Sequence, residues 1–539
     1  MLNFNRITMK NKILLPVILF TVMGISLTSC FNDLDLEPPS GINSANVYAD
    51  PANYIHVLAK VYAGLSISGN QGPAGNPDIL GIDEGFSQYI RVLWNLQEIT
   101  TDEAKCAWSD LGIPELNNMQ WNANNSFVNA MYYRIYFQLP LANEFIREAS
   151  DDKMTERSFS AEDKTLITGY RNEVRFLRAL SYYHAMDLFG NVPFITEDDL
   201  VGAFYPEQIS RADLFNYIES ELLELEGLLV APQTNEYGRV DKAAVWTLLA
   251  RLYLNAEVYT GTARYNDCAL WSKKVIDEGG YSLEPVYDHL FMADNHTSNE
   301  VIFPVTFDGR FTQTFGGTTF LTHASIGGDP MSALDSSYFG VQSGWGGNRA
   351  TPEFAELFPD ADDDRNMFFT EGQTLVFSDN AELTSFIVGY PIAKWRNVTQ
   401  AGVIGSDPAQ TYVDIDFPMF RLADVMLMYA ECAARGAGDA GTGLLYVNDL
   451  RERAYGDALH NVGSITPESV LDERGRELQW EGYRRTDLIR FGLFTGGEYL
   501  WAFKGGSFNG TTVDDHLNLF PLPAADLVAN PNLEQNPGY

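Results

Sequence analysis

DADDDRNMFFTE, Asp360 to Glu371, sets Asp360, Asp362, Asp364 and Glu371 at the ligand positions of a calcium-binding loop. The sixth position, which needs glycine for its sharp turn, is Arg365, and no helical period flanks the segment. It reads as a solvated acidic turn salt-bridged by Arg365. GAGDAG, Gly436 to Gly441, has the GxGxxG spacing of a dinucleotide site but follows a helical pattern instead of a strand, so it reads as a flexible turn. Glycoside hydrolysis needs two carboxylates across a cleft, one with a raised pKa, and among 72 acidic residues such a pair can always be named. Neither GxSxG nor HExxH occurs, and the seven histidines lack ligand spacing. The pattern points to binding more than to catalysis.

Aromatic side chains in irregular, polar surroundings carry a stronger signal. SGWGGN places Trp345 among three glycines, Phe315 sits in TQTFGGTTF, and Trp108 in TTDEAKCAWSD. A pyranose exposes C–H groups on one face and hydroxyls at its edge. An exposed indole or phenyl can cover that face while amides, carboxylates or Arg engage the rim. Each ring could equally plug a local core beneath a loop, and Trp345, between glycines that build no core of their own, is the foremost binding candidate.

The chain of 539 residues has a net charge of −36, which repels phosphate backbones and excludes nucleic acid as a natural partner. Its start reads as a targeting signal: Lys10 and Lys12, the apolar run Ile13 to Leu27, then LTSC ending at Cys30. LTSC resembles a bacterial lipobox, which implies cleavage before Cys30, acylation there, and anchoring by several chains. FNDLDLEPPSG after it suits a solvated tether. Cys106, Cys268 and Cys432 are odd in number and lie in apolar patterns, so they read as unpaired core residues.

The elements that must hold these rings are helical. VRFLRALSYYHAMDLFGNVP winds Val174, Leu177, Leu180, His184 and Leu188 onto one stripe, stopped by Gly190 and Pro193. DKAAVWTLLARLYLNAEVYTG has Asp241 to cap its start and Gly261 its end, and YNDCALWSKKVIDEGGY supplies a partner ending at Gly279. Trp246, Leu249, Ala250 and Tyr253, with Ala269 and Ile276, take the spacing of a tetratricopeptide-like hairpin. Further helices are expected in FRLADVMLMYAECAARG, TGLLYVNDLRERAYG and TPESVLDERGRELQWEGYRR, the last starting at Thr466 and Pro467. From Ser282 to Thr411 and from Gly69 to Gln120 the composition predicts loops and short strands.

Several blocks together resemble the SusD/RagB family of Bacteroidetes outer-membrane nutrient-binding lipoproteins: the lipobox, EVRFLRALSYYHAMDLFGNVPF, GRVDKAAVWTLLARLYLNAEVYTG, FRLADVMLMYAECAA, GRELQWEGYRRTDLIRFG and FPLPAADLVANPNLEQNPGY. GNPDILGIDEGFS, TTDEAKCAW, LFMADN and FKGGSFNGTT look like its starch-binding branch. The resemblance implies a mainly α fold, a tetratricopeptide-like helical-hairpin scaffold (49–68, 121–281, 412–495) with an irregular, loop- and short-strand-rich lobe facing the ligand (69–120, 282–411, 496–539). Residues 1–29 would be the signal peptide and 30–48 the lipidated tether.

It further implies oligosaccharide capture at the cell surface without cleavage, for a TonB-dependent outer-membrane transporter; a peptide-binding scaffold of the same kind of importer and a glycoside hydrolase are the alternatives. The family's aromatic arc falls on Cys106, Phe315 and Trp345, with Trp108 two residues past the missing ring, and Arg91 matches a rim residue that bonds sugar hydroxyls. No cofactor is required; calcium is an open expectation, with Asp414 and Asp416 of VDID as its candidates, His296 where another carboxylate is expected, and Asp294 as a substitute.

Overall fold

The computed structural model describes residues 43–69, 71–73, 75, 77–199, 201–327, 336–377 and 385–539. The signal sequence, Cys30 and most of the tether lie outside the described residues. The chain divides into an N-terminal unit, Met1–Tyr54, and a body, Ile55–Tyr539. In the first, the Asn43 side chain accepts from the Asn46 N–H at 2.8 Å and caps a helical turn, Ser44–Val47, inside the stretch read as tether. Among the described residues no helix is long and apolar enough to cross a membrane.

The body is mainly helical. After α1 (Tyr54–Ser66) and the short α2 (Tyr89–Trp94) come α3 (Ser126–Glu148), α4 (Ala161–Phe189), α5 (Arg211–Leu228), α6 (Lys242–Leu254) and α7 (Tyr265–Glu278). The 3.6-residue apolar periods set these helices, and local side chains end them. Asp241 accepts from the N–H groups of Ala243 and Ala244 at the start of α6, and Gly190 closes α4 at φ 72°. The helix expected to run on to Gly261 pauses at Asn255 before a short turn, Ala256–Thr260.

Each helix from α3 to α7 packs on the next, and the stack is then continued by a distant part of the chain: α7 lies against α9 (Leu422–Ala434), which carries α10 (Ala440–Tyr455) and α11 (Pro467–Glu477). An apolar helix pair cannot bury its outer face alone, so the later hairpins cover what the earlier leave open. Thr466 and Pro467 do begin α11, with a capping box to Ser469. GAGDAG forms the turn between α9 and α10, its last two residues opening α10.

Three expectations need correction. The segment TPESVLDERGRELQWEGYRR is broken after Glu477, and α12 starts only at Arg484 and runs to Arg490. Trp480 and Gly482 take left-handed φ of 58° and 86°, and two buried carboxylates capture the freed donors: Trp480 N–H to Glu103 (2.8 Å), Gly482 and Tyr483 N–H to Glu98 (2.5 and 3.0 Å). The regions read as loops and strands contain α2, continued as a π-helical turn Asn95–Ile99, and α8 (Gly317–Ala324). Every residue of α2 and α8 is buried, so neither shows the polar face that would announce a helix. The acidic turn around Asp362 is salt-bridged by Arg365 as expected, but the bridge to Asp363 is buried and not solvated. Arg365 is wholly buried, held by Asp363 (2.8 Å), Glu473 (2.6 Å) and Glu477 (3.4 Å).

Three two-stranded pairings complete the body. β1 (Lys105–Cys106) runs antiparallel to β5 (Asn348–Arg349), β2 (Val192–Pro193) to β3 (Gln208–Ile209), and β4 (Val301–Val305) to β6 (Phe417–Arg421). Arg421, leaving β6 into α9, is buried among Glu300 (2.9 Å), Glu477 (2.7 Å) and Glu481 (2.7 Å); Lys394 joins Glu481 at 2.7 Å and Arg453 joins Glu300 and Glu477. Through Arg365 the same network reaches Glu473, where Arg451 sits at 2.9 Å.

Burial pushes the Glu473 carboxyl up, but Arg365, Arg476 and Arg451 overcome it and hold it down at about 2. Its folded pKa lies below its unfolded value near ~4.3, so its contribution is complete above that value and is lost as pH falls toward 2. Urea unfolding between pH 7 and pH 3 should show stability falling on the acid side. Glu473→Gln should lower stability at pH 7 by about 3 kcal/mol and flatten that acid limb; an unchanged limb would show that the network is not what acid dissolves.

Candidate functional site

The irregular segments converge because two backbone devices hold them. Along β1 and β5, Lys105 pairs with Arg349 and Cys106 with Asn348, and the Ala107 N–H donates to the Gly347 carbonyl at 2.9 Å. This sets Trp108 beside Trp345: its indole N–H donates to the Trp345 carbonyl at 3.1 Å, and the ring centroids stand 6.5 Å apart. On the other side, the carbonyl end of α8 and the residues just after it take three N–H groups, Trp345 to His323 (2.8 Å), Gly347 to Ala324 (2.8 Å) and, past the helix, Gly346 to Ile326 (2.7 Å). A helix end leaves carbonyls without intrahelical partners, and the Gly-rich run supplies them with donors. Gly347 is required by space: a Cβ there would lie 2.7 Å from the Trp108 indole.

Phe315 leads into α8, and its ring lies 6.3 Å from Trp345 and 5.3 Å from Tyr412. Trp108, Trp345, Phe315 and Tyr412 thus form a continuous row of half-buried rings, successive planes tilted by 46°, 56° and 49°. Trp108, Trp345 and Phe315 line an open cleft of about 370 Å³ with Phe86, Arg91 and the carboxylates of Asp83 and Asp110. Flat apolar faces beside carboxylate acceptors suit a ligand with one apolar side and a hydroxyl-bearing edge. Three residues singled out as stacking candidates are therefore in one place.

Arg91 lies at the cleft floor, not at its rim. Only 3% of it is exposed. One guanidinium nitrogen donates to the carbonyls of Gly85 (3.1 Å) and Phe315 (3.2 Å), and the group stands over the rings of Phe86, Phe320 and Trp108 at 4.4, 4.4 and 5.5 Å. Burial lowers its pKa to about 10, against Cys106, Asp110 and Asp83, so it remains a cation at neutral pH. It ties together three segments that carry aromatic rings.

Cys106 is 1% exposed within β1, and burial pushes its thiol up to about 11. Cys106 is buried within the β1–β5 pairing, whereas Trp108, two residues on and just past that pairing, stands at the cleft.

The calcium expectation also changes. Asp414 accepts from the Gly309 N–H (2.7 Å) and from the N–H and hydroxyl of Ser406 (2.6 and 2.7 Å). Asp416 accepts from the Phe307 N–H (2.9 Å) and the Tyr237 hydroxyl (2.7 Å). Asp294 accepts from the Gln400 N–H, and His296 packs edge-on to Tyr237. These side chains fasten loops with all four oxygens of the Asp414 and Asp416 carboxylates engaged, and among the described residues no group of three His, Cys, Asp or Glu converges as a metal site. Sequence reasoning missed Phe86, Tyr412, Asp83 and Asp110; GIDEGF, an acidic turn ending in an aromatic residue, carried the only hint.

Residues 377–539 match the SusD family profile. The chain is 34% identical over 579 residues to the starch-binding protein SusD of Bacteroides thetaiotaomicron, covering 98% of this chain and 99% of that one. Among solved structures, a SusD superfamily protein from Parabacteroides distasonis superposes with a TM-score of 0.69 at 25% identity, covering 90% of this chain and 99% of its own. Surface glycan-binding protein A from Bacteroides fluxus shares the fold with a TM-score of 0.67 at 20% identity, covering 91% and 100%.

If Arg91 is a structural cation, Arg91→Met leaves two buried carbonyls unpaired and should lower stability by about 2–3 kcal/mol. Thermal unfolding checks it: a rim residue reaching into solvent would leave the midpoint unchanged.

Proposed function

Because this chain belongs to the SusD family, we propose that it is a surface-anchored protein that captures an oligosaccharide, without cleaving it, for a partner TonB-dependent outer-membrane transporter. The observation that carries the reading is the row Trp108, Trp345, Phe315, whose half-buried rings line one cleft beside Asp83 and Asp110, with Tyr412 packed behind Phe315. A sugar placed there lays its C–H face on the rings, with Trp345 at the centre and Trp108 and Phe315 on either side. Its hydroxyls donate to the carboxylates at the edge. Arg91 acts from below by fixing the rings.

The starch-binding relative, similar over almost the whole chain, makes starch fragments the first ligands to try. Acylation at Cys30 would hold the body at the membrane. The charge of −36 keeps that body clear of anionic head groups.

Trp345→Ala should weaken retention in starch-containing affinity gels by on the order of tenfold, the effect of losing ~1–2 kcal/mol of stacking. Retention unchanged by that substitution would move the site elsewhere, and release of sugar products by the wild-type chain would make it a hydrolase. Cys30→Ala should move the protein from the membrane fraction to the soluble one and abolish lipid labelling; a variant still in the membrane fraction would refute the anchor.

A further inference from the structure

His323 stands in the last turn of α8, is 1% exposed, and stacks on Trp345 with centroids 4.5 Å apart and planes within 14°. Its two ring nitrogens face two backbone carbonyls on different segments: Nδ1 lies 2.5 Å from the Ser343 oxygen and Nε2 2.8 Å from the Thr411 oxygen. Ser343 belongs to the run that carries Trp345, and Thr411 precedes Tyr412. One imidazole therefore joins the segments bearing the central ring and the last ring of the row.

A carbonyl oxygen can only accept, and a neutral imidazole has one N–H. Both contacts are hydrogen bonds only when both nitrogens carry protons. In the neutral ring one carbonyl meets a nitrogen lone pair at under 3 Å, and that contact must open. The segment it releases carries either Trp345 or Tyr412.

We propose that His323 is the positioning residue of the cleft: as an imidazolium it donates to both carbonyls, seats Trp345 and the Tyr412 segment together, and couples glycan binding to the uptake of one proton. The proposal rests on the glycan-binding reading above. The flat stack adds to it, since an indole face attracts a cation laid over it.

Burial outweighs the bonds to Thr411 and Ser343, which favour the charged ring, and holds the imidazole pKa below its ordinary value in the glycan-free protein. The titratable groups on the surrounding elements are engaged as follows. On α2, the Tyr89 hydroxyl meets His184 at 2.8 Å, and Arg91 holds Gly85 and Phe315. On the 407–412 segment, Asp407 accepts from the N–H groups of Ala409, Thr411 and Tyr412, and the Tyr412 ring packs on Phe315. Past Trp345, Arg349 donates to the Ser385 carbonyl at 2.7 Å. In the glycan-free protein burial therefore opposes the proton that the two carbonyl dipoles would hold, and a bound glycan that favours the closed arrangement draws it in.

Maltoheptaose binding to the full chain, measured by calorimetry from about pH 5 to about pH 7.5, tests the coupling through linkage. The wild type should bind about fivefold to tenfold more tightly at the acid end, while His323→Gln, which keeps an amide donor but cannot titrate, should vary by less than about twofold. Nitrogen-15 imidazole spectra should show both His323 nitrogens protonated in the complex, and in glycan-free protein the Trp345 indole resonance should follow the His323 titration. These two readouts use the wild type alone, so they hold even where the variant fails to fold. Affinity flat with pH, with a neutral imidazole in the complex, overturns the inference and leaves the glycan reading standing. Failure to bind maltoheptaose at any pH counts against the starch reading instead, and the glycan-free spectra then decide: an indole signal indifferent to His323 overturns the positioning role.

Discussion

A flat apolar ring kept half in water has to be held from behind by backbone, because the solvent side offers it nothing to pack on. Here the holding is done by the carbonyl end of α8 and the two residues after it, which receive the N–H groups of Trp345, Gly346 and Gly347, and by the β1–β5 pairing, which sets Trp108 against them. Both devices need glycine, one for lack of room beside the Trp108 indole and the other for the left-handed φ of 60° at Gly346. The Gly-rich run around Trp345 is therefore the fixture of the ring and not a loose loop.

Behind that fixture the cleft is tied into the helical stack by buried polar bonds. Glu98 and Glu103, on the segment leading from α2 to β1, hold the turn between α11 and α12, and Asp102 receives Arg484 in a paired contact at 2.8 and 2.6 Å. Trp94 and Trp480 pack edge to face at 5.5 Å in the same place. That turn lies one step from the Glu477 and Glu481 carboxylates that surround Arg421. Buried charges of this kind contribute little net stability, yet removing one partner leaves the others uncompensated, so they fix one arrangement of the segments over its competitors. A cleft built from loops thereby stands on a network with few alternative states.

The helical frame was largely legible in the chain. Asp241 and Thr466 begin their helices and Gly190 ends its own because caps act within four residues, a range over which sequence order and spatial order coincide. α2 and α8 escaped notice for the opposite reason: buried on every side, they carry no amphipathic period. The run through Trp480 looked like one long helix, since its break depends on carboxylates near residue 100 that local pattern cannot see.

Sequence alone determined that large rings sit in polar, Gly-rich surroundings at Trp108, Phe315 and Trp345, and that the frame is made of helical hairpins. Both are local properties, fixed by residue type and spacing. Tertiary structure decided that Trp108 and not Cys106 takes part in the row, that Tyr412 extends it, that Arg91 is its floor, and that Asp414 and Asp416 serve the loops. Each of those outcomes depends on partners far along the chain, as Trp108 and Trp345 are, 237 residues apart. Depth and direction belong to the packed fold, where two residues along the chain separate a thiol buried in β1 from a ring at the cleft.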